Sequence, residues 1–247
     1  MSGSHVATAG NFGDFPQEVA GMARAIPPDV RVLACRALAP ELAALGVAPD
    51  QMRLLDQGLH RCPQELRQQL ARNLEELESD AAVKLIVLVY GYCGGGLEGL
   101  SPRRADVILP LVHDCIPLLL GRTPPSPPPG AGGIFYLSPG WIEHGRTPYT
   151  EFLYTRERFG LDDAMWTTQR MLNSYREVVL IETPAGLSEA HRHHARTMAR
   201  LFDLAYREER GDGRLLEDLL AARSNRAGIL HLKPGDVLTI ECLRRTS

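Results

Sequence analysis

Lys84-Leu85-Ile86-Val87-Leu88-Val89-Tyr90-Gly91-Tyr92-Cys93-Gly94-Gly95-Gly96-Leu97-Glu98-Gly99-Leu100 decides how the chain reads. The run Lys84 to Tyr90 is apolar and rich in β-branched residues, the composition of a strand buried on both faces. It breaks into Gly91-Tyr92-Cys93-Gly94-Gly95-Gly96, a composition too costly for the interior of a helix or strand. A cysteine among glycines thus stands at the carboxyl end of a central strand. In open α/β sheets that edge is where ligands bind.

Two more cysteines occupy equivalent places. Val30 to Ala34 predicts a short strand ending at Cys35, and Val107 to Val112 predicts another, followed by His113-Asp114-Cys115. Pro110 marks the latter as an edge strand or one that ends early. If these strands are parallel neighbours, the three sulfurs meet on one rim. Met52 to Leu55 predicts a further strand, leading to His60 and to Pro63 at the start of an amphipathic helix over Gln64 to Ser79.

Beyond the first half, Thr123 to Gly133 (TPPSPPPGAGG) predicts an exposed loop. Strands are expected at Ile134 to Leu137 and Val178 to Ile181. Helices are expected over Tyr149 to Phe159, Asp162 to Ser174, Ser188 to Arg207 and Arg214 to Ala222. Ile229 to Leu232 and Val237 to Glu241 read as a terminal hairpin or a final pair of strands. The alternation predicts a mainly parallel, Rossmann-like α/β sheet with helices on both faces, a three-layer architecture. The expected division is an N-terminal extension and helix over residues 1–28, then a single α/β domain over 29–247.

The chain has 247 residues, a formal charge of -3 and a pI near 6.2, which argue against nucleic acid or an anionic membrane as partner. No apolar run approaches the roughly 20 residues that span a bilayer. Met1 to Gly13 lacks the features of a signal peptide, so the expected location is cytoplasmic. Five cysteines in a reducing compartment are free to fill the core, bind metal or attack substrate.

Cys35, Cys93 and Cys115 as metal ligands would leave one position open on Zn²⁺, or one open iron on a [4Fe–4S] cluster that normally takes four cysteines. An open position implies a small substrate and Lewis-acid chemistry. The competing reading is that free cysteine fills gaps in cores, which suits Cys62 and Cys242. His60 and His113 are candidates for a fourth ligand or a general acid/base, or are loop histidines satisfied by backbone. Asp114 supports the ligands or caps the following helix. Trp141 walls a pocket or anchors packing. Gly91, Gly94, Gly95 and Gly96 let the backbone approach a bulky cofactor. Gly94, Gly96 and Gly99 also match a dinucleotide fingerprint, although Pro102 cuts short the helix it requires. His191, His193 and His194 read as solvated surface.

ACRAL around Cys35, LHRCPQEL around His60, YGYCGGGLEGL around Cys93, HDCIPLLLG around Cys115 and YLSPGWIE around Trp141 resemble the bacterial and archaeal family DUF1638. The resemblance covers Val30 to Glu143 best. Members often look like companions of corrinoid-dependent methyl transfer. That implies thiolate–zinc or cluster chemistry on a one-carbon or sulfur substrate, with a corrinoid or methyltransferase protein as partner. The expected function is therefore a metalloenzyme of the lyase or transferase class. A nucleotide-binding protein and a non-catalytic metal or corrinoid accessory are the alternatives.

Overall fold

The computed structural model describes residues 26–122 and 133–244. The expected helix over Phe15 to Ile26 and the Pro/Gly-rich loop lie almost wholly outside these residues. Strand β1 (Val30–Cys35) is followed by the short helix α1 (Ala39–Ala44), then β2 (Met52–Leu55), α2 (Pro63–Ser79) and β3 (Leu85–Val89). The glycine loop leads to β4 (Asp106–Pro110) and α3 (Ile116–Leu120). Next come β5 (Ile134–Leu137), α4 (Pro139–His144), α5 (Pro148–Phe159), α6 (Leu161–Leu172) and β6 (Glu177–Glu182). The chain continues through α7 (Glu189–Leu201), β7 (Ala205–Arg210), α8 (Arg214–Ala221), β8 (Ile229–Leu232) and α9 (Ile240–Arg244).

The architecture is α/β with a mainly parallel central sheet in the order β2-β1-β3-β4-β8 and helices around it. Strands β2, β1, β3 and β4 run parallel, and β8 closes the edge antiparallel to β4. Strand β3 lies at the centre with all five residues buried, which is why its sequence is uniformly apolar rather than alternating. Each such side chain contributes about 1.5–3 kcal/mol by leaving water. Pro110 ends β4, so its missing donor costs the ladder nothing. One oxygen of Glu78, on α2, accepts the main-chain N–H groups of Arg103, Arg104 and Ala105 and pins the entry to β4.

The remaining strands form a second parallel sheet, β5-β6-β7, with its own core of Leu137, Leu172, Val178, Leu180, Ala195, Met198 and Ala199. Sequence order could not reveal this division, because strand alternation looks the same whether one sheet or two are being filled. Helix α4 joins the two parts. Gly140 packs onto the carbonyl of Ala37 with no room for a β-carbon. Thr183, just after β6, donates to buried Glu41 on α1 at 3.0 Å.

Two expected elements differ. The helix predicted to reach Arg207 stops at Leu201, where Asp203 turns with φ 54°, and Ala205–Arg210 forms β7 instead. That strand (AYREER) is a polar edge strand, so it lacks the apolar alternation that announces one. Val237 to Glu241 does not pair with β8. Leu238 exchanges backbone hydrogen bonds with Gly99 and Leu100, and the chain then turns into α9. The turn at Lys233–Asp236 directs the segment across the glycine loop rather than back along the strand.

Candidate functional site

Cys35 is the last residue of β1, beside β3 in register, and it is buried. Beyond Val89 the central strand continues as a loose ladder. Tyr92 N–H donates to Val112 at 2.9 Å and Cys93 N–H donates to His113 at 2.9 Å. This ladder sets the Cys93 loop directly against the His113-Asp114-Cys115 turn. The approach is close enough that a β-carbon on Gly91 would lie 2.6 Å from the nitrogen of Asp114. Only glycine fits there.

Two of the three thiols are in contact, and the third, Cys35, lies within electrostatic reach of them. Cys93 donates a hydrogen bond to the sulfur of Cys115, and the Gly91 N–H donates to the same sulfur. Together these donors hold the Cys115 thiol below its usual range. The Cys93 thiol, as donor, is pushed strongly up, by that bond first and then by burial and the Cys115 charge. Burial pushes Cys35 up as well, with the Cys115 charge adding to it. Tyr90 lies within reach of their charges, 2% exposed, its hydroxyl without a hydrogen-bond partner among the described residues. Burial raises its pKa, and the neighbouring charges of Cys35, Cys115 and Cys93 raise it further.

The backbone at Cys93 has φ 47°, a left-handed conformation that a non-glycine residue rarely holds. Gly94 and Gly95 continue it with φ 65° and 97°. Strained backbone of this kind concentrates at functional sites.

Asp114 caps α3 by accepting from Ile116 N–H at 2.7 Å. Burial raises its pKa, against the opposing pull of His113 and His60, which places both histidines near it. His60 sits 2.5 Å from the carbonyl of Gln57 through Nδ1, so its proton belongs on that nitrogen and Nε2 is left free. Its ring meets Trp141 edge-on, centroids 6.1 Å apart, and Trp141 stacks at a tilt on Phe135 at 5.7 Å. The indole N–H of Trp141 is buried without a partner.

A cavity of about 460 Å³ opens over the glycine loop, lined by Arg67, Tyr92, Gly94, Gly95, Glu98, His113 and Ile240. Arg67 donates to the carbonyl of Gly95 at 2.9 Å, and the Tyr92 hydroxyl donates to Glu98.

Cys35, Cys93, His113, Asp114, Cys115 and the loop glycines thus stand at or just beyond the carboxyl ends of β1, β3 and β4, His60 in the turn after β2, and Trp141 on α4 against His60. Tyr90, Arg67 and Glu98 escaped the reading of the sequence. Tyr90 looked like the end of a buried strand, and nothing in a sequence shows whether a buried hydroxyl has a partner. Among the described residues no group of three or more His, Cys, Asp and Glu side chains is set around one point as a ready metal-ion site. Cys62 is exposed, and Cys242 packs near Thr239. No α-helix follows Gly94 to Gly99, so the glycine loop lacks the helix N-terminus of a dinucleotide fingerprint.

Two of the α7 histidines need correction, while His193 is exposed as expected. His191 is buried, exchanges capping bonds with Ser188 and bonds Glu143 at 2.8 Å. His194 bonds Thr147 at 2.9 Å, and burial lowers its pKa. They tie α7 to α4 and to the start of α5 rather than facing solvent.

No helix among the described residues is long and apolar enough to cross a membrane. No curated protein and no solved structure matches the chain. The family model described as a protein of unknown function, DUF1638, matches residues 54–220, which contain His60, Cys93, His113, Asp114, Cys115 and Trp141 and leave Cys35 outside. The chain belongs to the DUF1638 family.

Proposed function

We propose that Cys35, Cys93 and Cys115 hold an open-site [4Fe–4S] cluster, with Zn²⁺ as the alternative occupant, and that a small substrate enters from the cavity over the glycine loop. The observation that carries this reading is the electrostatic coupling of three strand-end thiols to one another and to Tyr90, whose buried hydroxyl has no partner among the described residues. A buried hydroxyl costs free energy unless something accepts from it, and a thiolate-rich group supplies that acceptor. Burial raises the Cys35 pKa, and the bond to Cys115 followed by burial raises that of Cys93, so a bound cation would displace their protons.

A single ion needs its donors around one point, whereas a cluster gives each cysteine its own iron. When bound, such a cluster supplies an open iron that polarises a donor atom of the substrate.

The residues of the chain provide the rest. The Gly91 N–H donates to the Cys115 sulfur. His60 offers a free Nε2, and Asp114 lies near both His60 and His113, a set able to take and return a proton. This suits a lyase or transferase acting on a sulfur or one-carbon substrate, in a reducing cytoplasm that leaves all five cysteines free. A corrinoid or methyltransferase protein is the proposed partner, by the family resemblance.

The test is anaerobic purification with iron, sulfide and zinc analysis and a visible spectrum. A brown iron–sulfur shoulder with matching iron and sulfide supports the cluster, and stoichiometric zinc supports the alternative. Protein that takes up neither on reconstitution overturns both.

A further inference from the structure

The hairpin of α5 and α6 carries most of the large apolar side chains exposed among the described residues: Tyr154, Phe159, Leu161, Trp166 and Met171. Helix α6 turns Ala164, Thr168 and Leu172 inward. The opposite stripe, at i, i+4 and i+8, is Asp162, Trp166 and Arg170, all exposed. Trp166 stands at its middle, 65% exposed, the outermost point of an otherwise polar face. Arg170 covers the ring at 5.7 Å. Asp162 and Asp163 have no ion pair or side-chain hydrogen bond among the described residues, and Arg170, over the Trp166 ring, has no ion pair there, so the charges at both ends lack opposite-charge partners.

This order is self-complementary. Reversed end for end about Trp166, the stripe sets Asp162 opposite Arg170 and Arg170 opposite Asp162. That is what an isologous two-fold contact requires. We propose that the chain forms a two-fold homodimer through antiparallel α6 helices, with the Trp166 side chains at the axis and Asp162 of each copy opposite Arg170 of the other.

A helix of twelve residues spans about 18 Å, so α6 alone makes a narrow contact. Phe159, exposed at the α5–α6 turn, offers further apolar surface at the Asp162 end, towards the standard interface of about 1,600 Å². An exposed tryptophan flanked by arginine is the composition of an interface hot spot. The association should be weakened by salt, because the end charges are exposed.

Sedimentation of the full chain over a concentration series tests this. Wild type should shift from monomer to dimer. Trp166→Ala, on the outer face and so unable to disturb the core, should weaken association about tenfold or more. Arg170→Glu and the pair Asp162→Lys with Asp163→Lys should each be monomeric alone, yet form a heterodimer when mixed, since each then meets the opposite charge. A monomer throughout, a dimer indifferent to Trp166→Ala, or charge variants that do not associate when mixed would each overturn the proposal.

Discussion

The main chains of Gly91 and Asp114 are in such close contact that a β-carbon at position 91 would overlap the backbone of Asp114. This contact holds the Cys93 and Cys115 loops together, and the Gly91 N–H donates to the Cys115 sulfur from the same place. Gly91→Ala must push the loops apart. The expected cost is about 1–3 kcal/mol, as for other overpacked sites. Chemical denaturation measures it, and metal uptake should fall in the same variant.

Single serine substitutions separate the rim from the other cysteines. Cys35→Ser, Cys93→Ser and Cys115→Ser should each lose most of the iron or zinc retained after anaerobic purification. Cys62→Ser should retain it, because Cys62 is exposed and is not among the proposed ligands. Equal retention in all four would remove the proposed site.

Tyr90 discriminates a binding role from packing. Its hydroxyl is buried and unpartnered among the described residues, so Tyr90→Phe should leave the metal-free protein unchanged or more stable by up to about 1 kcal/mol. In metal-loaded protein the same change removes a donor, and the visible spectrum or the rate of metal loss to a chelator should shift. A variant silent in both states would assign Tyr90 to the core alone.

Glu41 makes stability depend on pH. It is fully buried at the junction of the two sheets, with Oε2 unpartnered, and burial raises its pKa from an ordinary 4.5 to about 7. The folded state therefore holds a proton that the unfolded state has released between those values. Stability is greatest below the unfolded value and falls as pH rises towards 7, by roughly 3 kcal/mol at most. Glu41→Gln can still accept from Thr183 but carries no charge. It should flatten this dependence, with little effect at pH 5 and a higher Tm than wild type at pH 8. Thermal melts at the two pH values decide it.

The sequence alone sufficed for the α/β class, the central position of Leu85–Val89 and the residues of the rim. A strand buried on both faces must be apolar throughout, and a glycine run at its end is legible without coordinates. It also sufficed for β5 and for most helices, whose apolar periods and Pro or Gly boundaries are local signals. Pairing was not local. That β5, β6 and β7 leave the main sheet, that β7 exists in a run as polar as AYREER, and that Leu238 lies across the glycine loop depend on contacts between residues far apart in sequence. The same holds for the thiols. Their positions at strand ends were visible, but their coming within electrostatic reach of one another and of Tyr90 required β1, β3 and β4 to lie side by side, and hydrogen-bonded register between strands is a property of the folded sheet.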